Sequence, residues 1–256
     1  MKEHVLSHLP KAFPWRENIH YFDCIDSTNT RAKKLAAAGC PNGTVLIADT
    51  QTGGRGRMGR SFLSPKGTGF YLSVVLRPRC TGEQLMHLTC AVGVAVCDGI
   101  EAICGVRPRI KWINDLILGN KKLGGILTEL SLDSLGSVSY AVIGIGINVG
   151  ATPDGVNEIA TSLQEAGFIV DRVKLIAEIL QKLEHLSVTD ISVMEQYRKD
   201  CLTLGQQVCV LKSDGTSYGV ALDVDDQGGL LVRDQNGNLQ TVNSGEVSIR
   251  GMYGYV

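Results

Sequence analysis

The sequence predicts an α+β chain, with a large sheet-and-helix domain over residues 1–204 and a small β-barrel over residues 205–256. Three observations lead there. Apolar runs of strand length, such as Thr44–Ala48 and Gly69–Leu76, interleave with helical patterns. Glu83–Cys104 is apolar nearly all round, as expected of a helix buried at the centre of a core. After Gly205 the texture changes to short β runs separated by turn clusters at Ser213-Asp214-Gly215, Asp225–Gly229 and Asn236-Gly237-Asn238. With 256 residues, 44% of them hydrophobic, the chain can bury one large core and one small one.

The elements follow in order. A strand around Ile19–Ile25 leads to Asp26-Ser27-Thr28-Asn29, and Thr30–Ala38 reads as a helix closed by the Gly39–Gly43 turn. The strands Thr44–Ala48 and Gly69–Leu76 flank a glycine- and arginine-rich stretch. Beyond the central helix come a strand over Arg109–Trp112, a turn at Ile113-Asn114-Asp115 and a strand through Leu118. Asn120-Lys121-Lys122 turns the chain into Leu123–Leu132, and Ser137–Val149 is a further strand. Helices over Arg172–Leu186 and Ile191–Thr203 complete the large domain.

Composition excludes several classes. The formal net charge is −1, so there is no basic excess for general nucleic-acid or membrane-surface binding. No run of 18 consecutive apolar residues predicts a membrane span, and Met1–Lys11 has no secretory pattern. The eight cysteines are scattered without a CxxC pair, which argues against zinc and fits a reducing cytoplasm. Asp223, Asp225, Gln227, Gly228 and Asp234 approximate a calcium loop, but the flanking strands make them a hairpin turn.

Gly53-Gly54-Arg55-Gly56-Arg57-Met58-Gly59-Arg60 is the most informative segment. It cannot bury an apolar core, so ordering it costs backbone entropy. Close backbone approach and paired guanidinium contacts to anionic oxygens can offset that cost. A terminal stretch of this kind would read as a linker or tail; here two core strands give it a rigid base, which favours a binding loop. Gly54-x-Gly56-x-x-Gly59 fits the dinucleotide fingerprint in letters only, because turn residues follow it instead of a helix.

Other candidates lie at strand ends. Ser27-Thr28-Asn29 offers hydroxyls and an amide, or simply an N-cap. Gln51 stands just before the arginine loop. Lys111 lies in an apolar strand, where burial requires an anion. Asp115 suits a metal ion or a ribose hydroxyl, and Lys122 beside Gly124-Gly125 combines an ammonium with close backbone approach. Asn148 ends an apolar strand. There is no Walker loop, HExxH or GxSxG, so a bound nucleotide would rest on basic side chains and glycine backbone.

Taken in order, Asp26-Ser27-Thr28-Asn29, Gln51 to Arg60, Lys111-Trp112-Ile113-Asn114-Asp115, Lys121 to Leu127 and Gly144 to Val149 resemble the biotin protein ligases. The resemblance implies a mixed β-sheet catalytic domain flanked by helices, plus a C-terminal SH3-like barrel. It implies that ATP, biotin and magnesium form biotinyl-5′-adenylate, which a lysine of a biotin carboxyl carrier protein of acetyl-CoA carboxylase then attacks. Ser27, Thr28, Asn29 and Gln51 would surround the ureido ring. Arg55, Gly56 and Arg57 would wrap the carboxylate and phosphate, with Lys122 on the carboxylate and acyl phosphate. Lys111, Arg60, Asn148 and Arg250 would serve the nucleotide, and Asp115 the nucleotide or magnesium. Arg57, Lys122 and Lys111 would carry the catalytic charge. The family usually has proline at Ile113, a departure expected to loosen that turn, and often tryptophan at Phe62. The strand leading to Ser27 begins near residue 19, so the expectation is a ligase without a DNA-binding winged helix, possible as a homodimer. A lipoate or octanoate ligase or transferase of the same fold is the alternative; an RNA-binding module is opposed by the near-neutral charge and the few aromatics.

Overall fold

The structure is a computed structural model that describes residues 2–152, 155–156, 158–212, 215–243 and 246–249. Its main sheet is seven-stranded and mixed. The strands are β1 (Ile19–Phe22), β2 (Thr44–Ala48), β3 (Gly69–Leu76), β4 (Arg109–Lys111), β5 (Asp115–Leu118), β6 (Lys121–Leu132) and β7 (Val138–Asn148). They run in the order β1-β2-β3-β7-β6-β5-β4, with β1 parallel to β2 and every other pair antiparallel. A second, antiparallel sheet holds β8 (Gln207–Lys212), β9 (Gly215–Val224), β10 (Leu230–Asp234), β11 (Leu239–Val242) and β12 (Glu246–Ile249).

The period-2 pattern divides the main sheet between two cores. Ile143, Ile145 and Ile147 of β7 join the large cluster built with α3 (Leu88–Cys104) and α4 (Arg172–Glu184). Val142 joins a smaller cluster with Ala32 and Ala36 of α2 (Thr28–Ala37). Gly144 and Gly146 share the α2 side, and there they leave space. The central stretch Glu83–Cys104 is long and apolar enough to cross a membrane by composition, yet 67% of its most apolar window is buried inside the fold. It is not one helix: a short 3-10 turn over Glu83–Leu85 precedes α3. Cys90 and Cys97 are buried in it and Cys104 is half-buried, as small apolar residues on one face.

Several sequence expectations shift at their ends. The first strand stops at Phe22, and Ile25 forms only a bridge to Gln51. The helix starts at Thr28, two residues early, because Ser27 is its N-cap and accepts from Thr30 N. The last two helices are shorter than expected, α4 ending at Glu184 and α5 covering Val193–Asp200. The sequence reading missed α1 (Lys2–His8), which buries only Val5 and so has little periodic signal.

The two sheets meet through Trp112. Its backbone N donates to Thr203 Oγ1 and its indole Nε1 to Gly228 O, both at 2.9 Å. Gly228 tops the β9–β10 hairpin, where Asp225 Oδ1 accepts from Gln227 N and Gly229 N, so the calcium-like letters form a turn. Trp112→Phe keeps the ring but strands a buried carbonyl. Unfolding stability should fall by about 1–3 kcal/mol; an unchanged urea midpoint contradicts the tie.

Candidate functional site

The arginine segment is a hairpin-like loop with a fixed base and an exposed tip. Gln51 N donates to Ser64 O, Gly53 N to Asp26 O and Phe62 N to Gly54 O, at 2.8–3.0 Å. Gly54 is required at the base, since a Cβ there would lie 2.4 Å from Phe62 O. Higher up, Gly56 N donates to Arg60 O at 2.8 Å. At the tip Met58 takes a left-handed conformation (φ 54°) and is 66% exposed, so the turn is held against the preference of its side chain.

Under this loop lies an open cavity of about 960 Å³, a volume that includes solvent space at its mouth. Ser27, Thr28, Asn29, Gln51, Arg55, Gly56, Arg57, Arg60, Lys111, Asp115 and Lys122 all line it. The sequence therefore names residues from five separate segments that the fold brings to one place. Gly144 and Gly146 form the floor: a Cβ on Gly144 would sit 2.1 Å from Asn29 Oδ1, and one on Gly146 would sit 2.7 Å from the Phe62 ring. Phe62 also meets Tyr71 edge-on at 6.2 Å, so an aromatic is packed where the family often has tryptophan.

The lining residues form two chemically distinct groups. In the first, Gln51 Oε1 accepts from Thr28 N at 2.8 Å and Thr28 Oγ1 at 3.0 Å, while Gln51 Nε2 donates to Ser64 Oγ at 3.0 Å. Ser73 Oγ lies 2.8 Å from Thr28 Oγ1 and 2.6 Å from Asn29 Oδ1. This is a neutral, preorganised set of donors and acceptors on buried residues. The second group is cationic: Arg55, Arg57, Arg60, Lys111 and Lys122 face one carboxylate, Asp115. Lys122 Nζ pairs with Asp115 Oδ1 at 2.7 Å across the β5–β6 hairpin. Arg57 Nη1 donates to Asn114 Oδ1 at 3.2 Å, linking the loop to the opposite wall. Lys111 is 6% exposed, at the end of the short edge strand β4. Among the described lining residues, five cationic side chains and one carboxylate favour an anionic ligand.

Two candidates stand elsewhere. Asn148 is not among the cavity's lining residues; its Nδ2 donates to Thr161 O at 3.0 Å and pins the segment that follows β7. Arg250 lies outside the described residues. The Ile113 turn carries hydrogen bonds to two other elements. Tyr197 OH donates to Ile113 O at 3.3 Å, and Asn114 Nδ2 donates to Ile126 O at 3.0 Å. Sequence reasoning missed Ser73, whose only signal was a hydroxyl in an apolar strand. It also missed Val247 of β12, which reaches the cavity from the second sheet.

Known proteins resemble this chain in sequence and fold. Residues 21–148 match the Biotin/lipoate A/B protein ligase family, and residues 203–250 match the Biotin protein ligase C terminal domain. The Bifunctional ligase/repressor BirA of Bacillus spizizenii is 38% identical over 246 residues, covering 91% of this chain and 74% of its own. The Biotin–[acetyl-CoA-carboxylase] ligase of Mycobacterium tuberculosis is 34% identical over 232 residues, covering 86% and 85%. Among solved structures, a biotin protein ligase from Aquifex aeolicus in complex with biotin and ATP superposes with a TM-score of 0.74 at 30% identity, covering 91% of this chain and 99% of that one. The match to the ligase-specific C-terminal domain disfavours the lipoate alternative. The chain belongs to the biotin/lipoate A/B protein ligase family and, within it, to the biotin protein ligases.

Proposed function

We propose that this chain joins biotin to ATP as biotinyl-5′-adenylate and then transfers the biotinyl group to a lysine of a biotin carboxyl carrier protein of an acetyl-CoA carboxylase. The observation that carries the reading is the pairing of a neutral hydrogen-bonding group with a cationic group in one cavity. Biotin has the same division: a neutral ureido ring that both donates and accepts, and a carboxylate that must meet a phosphate.

Ser27, Thr28, Asn29 and Gln51 hold the ring in this reading, with Ser73 fixing their orientation. A carboxylate attacking the α-phosphate brings two anions together. At about 4 Å and an effective dielectric of about 20 they repel by roughly 4 kcal/mol. Lys122, Lys111 and Arg57 offset that repulsion as the new P–O bond forms and pyrophosphate departs. Arg55, Gly56 and Arg60 close over the product, so that the mixed anhydride is shielded from water. Asn148 acts at one remove, by fixing the end of β7. Magnesium fits only as a companion of the nucleotide. Among the described residues no three potential ligands cluster, and Asp115 already pairs with Lys122. Asp115 would give the ion one carboxylate, phosphate oxygens the rest, and the ion would neutralise phosphate charge. The near-neutral net charge supports action without nucleic acid, and the eight free cysteines support a cytoplasmic setting; a homodimer is part of the same reading.

Pyrophosphate release, measured with ATP and biotin and then with ATP and lipoate, tests the assignment. Release with biotin alone is expected. No release with biotin, or equal release with lipoate, contradicts it.

A further inference from the structure

Beside the arginine loop a groove runs alongside β6. Its walls are loop residues 53–61 and its floor is Leu127 and Glu129. It shares loop residues and Leu127 with the central cavity, so the two spaces adjoin. Among the described residues Glu129 is the one acidic residue lining it, together with Arg55, Arg57 and Arg60. Its carboxylate is half-buried and doubly engaged. Asn29 Nδ2 donates to Oε2 at 3.0 Å, and Lys33 Nζ pairs with Oε1 at 2.7 Å. Asn29 lines the central cavity, so Glu129 stands one hydrogen bond from the ligand space. Lys33, on α2, lines neither space, and its side chain is 35% exposed.

On the proposed function from which this inference proceeds, a lysine ammonium that enters along this groove passes Arg55, Arg57 and Arg60, which line it. Like charges repel it there, and a carboxylate on the path is needed to offset them. We propose that Glu129 receives the ammonium of the acceptor lysine in this groove, and that Lys33 holds the place of that cation until the carrier arrives. The docked ammonium gives one proton to solvent. The nitrogen lone pair then forms the C–N bond while the bond from the acyl carbon to the phosphate oxygen breaks. AMP leaves with that electron pair, and one of the two protons still on nitrogen goes to solvent, which leaves the amide N–H.

The test uses the whole chain with ATP, biotin and an unmodified carrier domain of an acetyl-CoA carboxylase, following pyrophosphate release and carrier biotinylation separately. Wild type must show both; absence of pyrophosphate release overturns the ligase reading and the inference with it, whereas the outcomes below overturn the inference alone. With wild type active, Glu129→Gln should lower transfer from preformed adenylate to the carrier roughly ten-fold more than it lowers pyrophosphate release, the effect of one lost charge-assisted hydrogen bond. Its transfer to hydroxylamine, a small neutral nucleophile, should change no more than pyrophosphate release does. Lys33→Ala should biotinylate the carrier at least as fast as wild type. Carrier transfer by Glu129→Gln at the wild-type rate, an equal loss toward hydroxylamine, or the same loss in Lys33→Ala each overturn the proposal.

Discussion

Replacing Lys122 by methionine is expected to slow pyrophosphate release by roughly 10²–10³-fold at saturating biotin and ATP, the range for removing one preorganised group from developing charge. The change keeps the aliphatic stem and removes the ammonium. Lys122 lines the cavity and sits 2.7 Å from Asp115. When the ammonium goes, the aspartate stays and adds its own charge to the repulsion between carboxylate and phosphate. Stability should change little, because the pair is partly exposed, with side-chain accessibilities of 32% and 21%, and such pairs contribute about 0–1 kcal/mol. Rapid-quench measurement of the first turnover checks the chemistry, and a change of less than about three-fold would remove Lys122 from the proposed charge stabilisation.

Arg57→Ala should act on a different step. Its guanidinium reaches from the loop to Asn114 on the opposite wall, so truncation cuts a strap across the cavity. Release of preformed biotinyl-5′-adenylate should quicken by about 10–100-fold, from a lost charge-assisted contact of about 1.5–3 kcal/mol. Biotin affinity should change less, because Thr28, Asn29 and Gln51, which the proposal places at the ureido ring, are held by their own hydrogen bonds to one another, Ser73 and Ser64. Rapid filtration of the complex loaded with radiolabelled adenylate gives the release rate. Equal release from variant and wild type would show that Arg57 does not retain the intermediate.

The strands flanking the arginine loop were legible because apolar runs of five and eight residues leave few other conformations. The loop itself was legible from composition, since glycine and arginine together point to backbone approach and anion binding. Gln51 was different. Alone it carried no signal, and its role appears only when β2 delivers its amide to Thr28, 23 positions away. Ser73 was hidden for a related reason: one hydroxyl in an apolar strand says nothing until the sheet register sets it beside α2. Asn148 stayed ambiguous in the sequence because a strand-end amide serves a ligand or a neighbouring carbonyl equally well; its Nδ2 meets Thr161 O. Gly144 and Gly146 read as strand glycines, and only packing reveals that they hold the floor open for Asn29 and Phe62. Local pattern thus found the elements and the charged groups, while long-range contacts decided which polar residues cooperate.

Amide hydrogen exchange across residues 53–60 tests the closing loop most directly. With no ligand, or with ATP alone, the exposed tip around Met58 should exchange fast. With biotin and ATP together these amides should become protected while the adenylate is held, and in Arg57→Ala the protection should shorten. Identical exchange in all three states of the wild-type chain would contradict a loop that orders over the acyl adenylate.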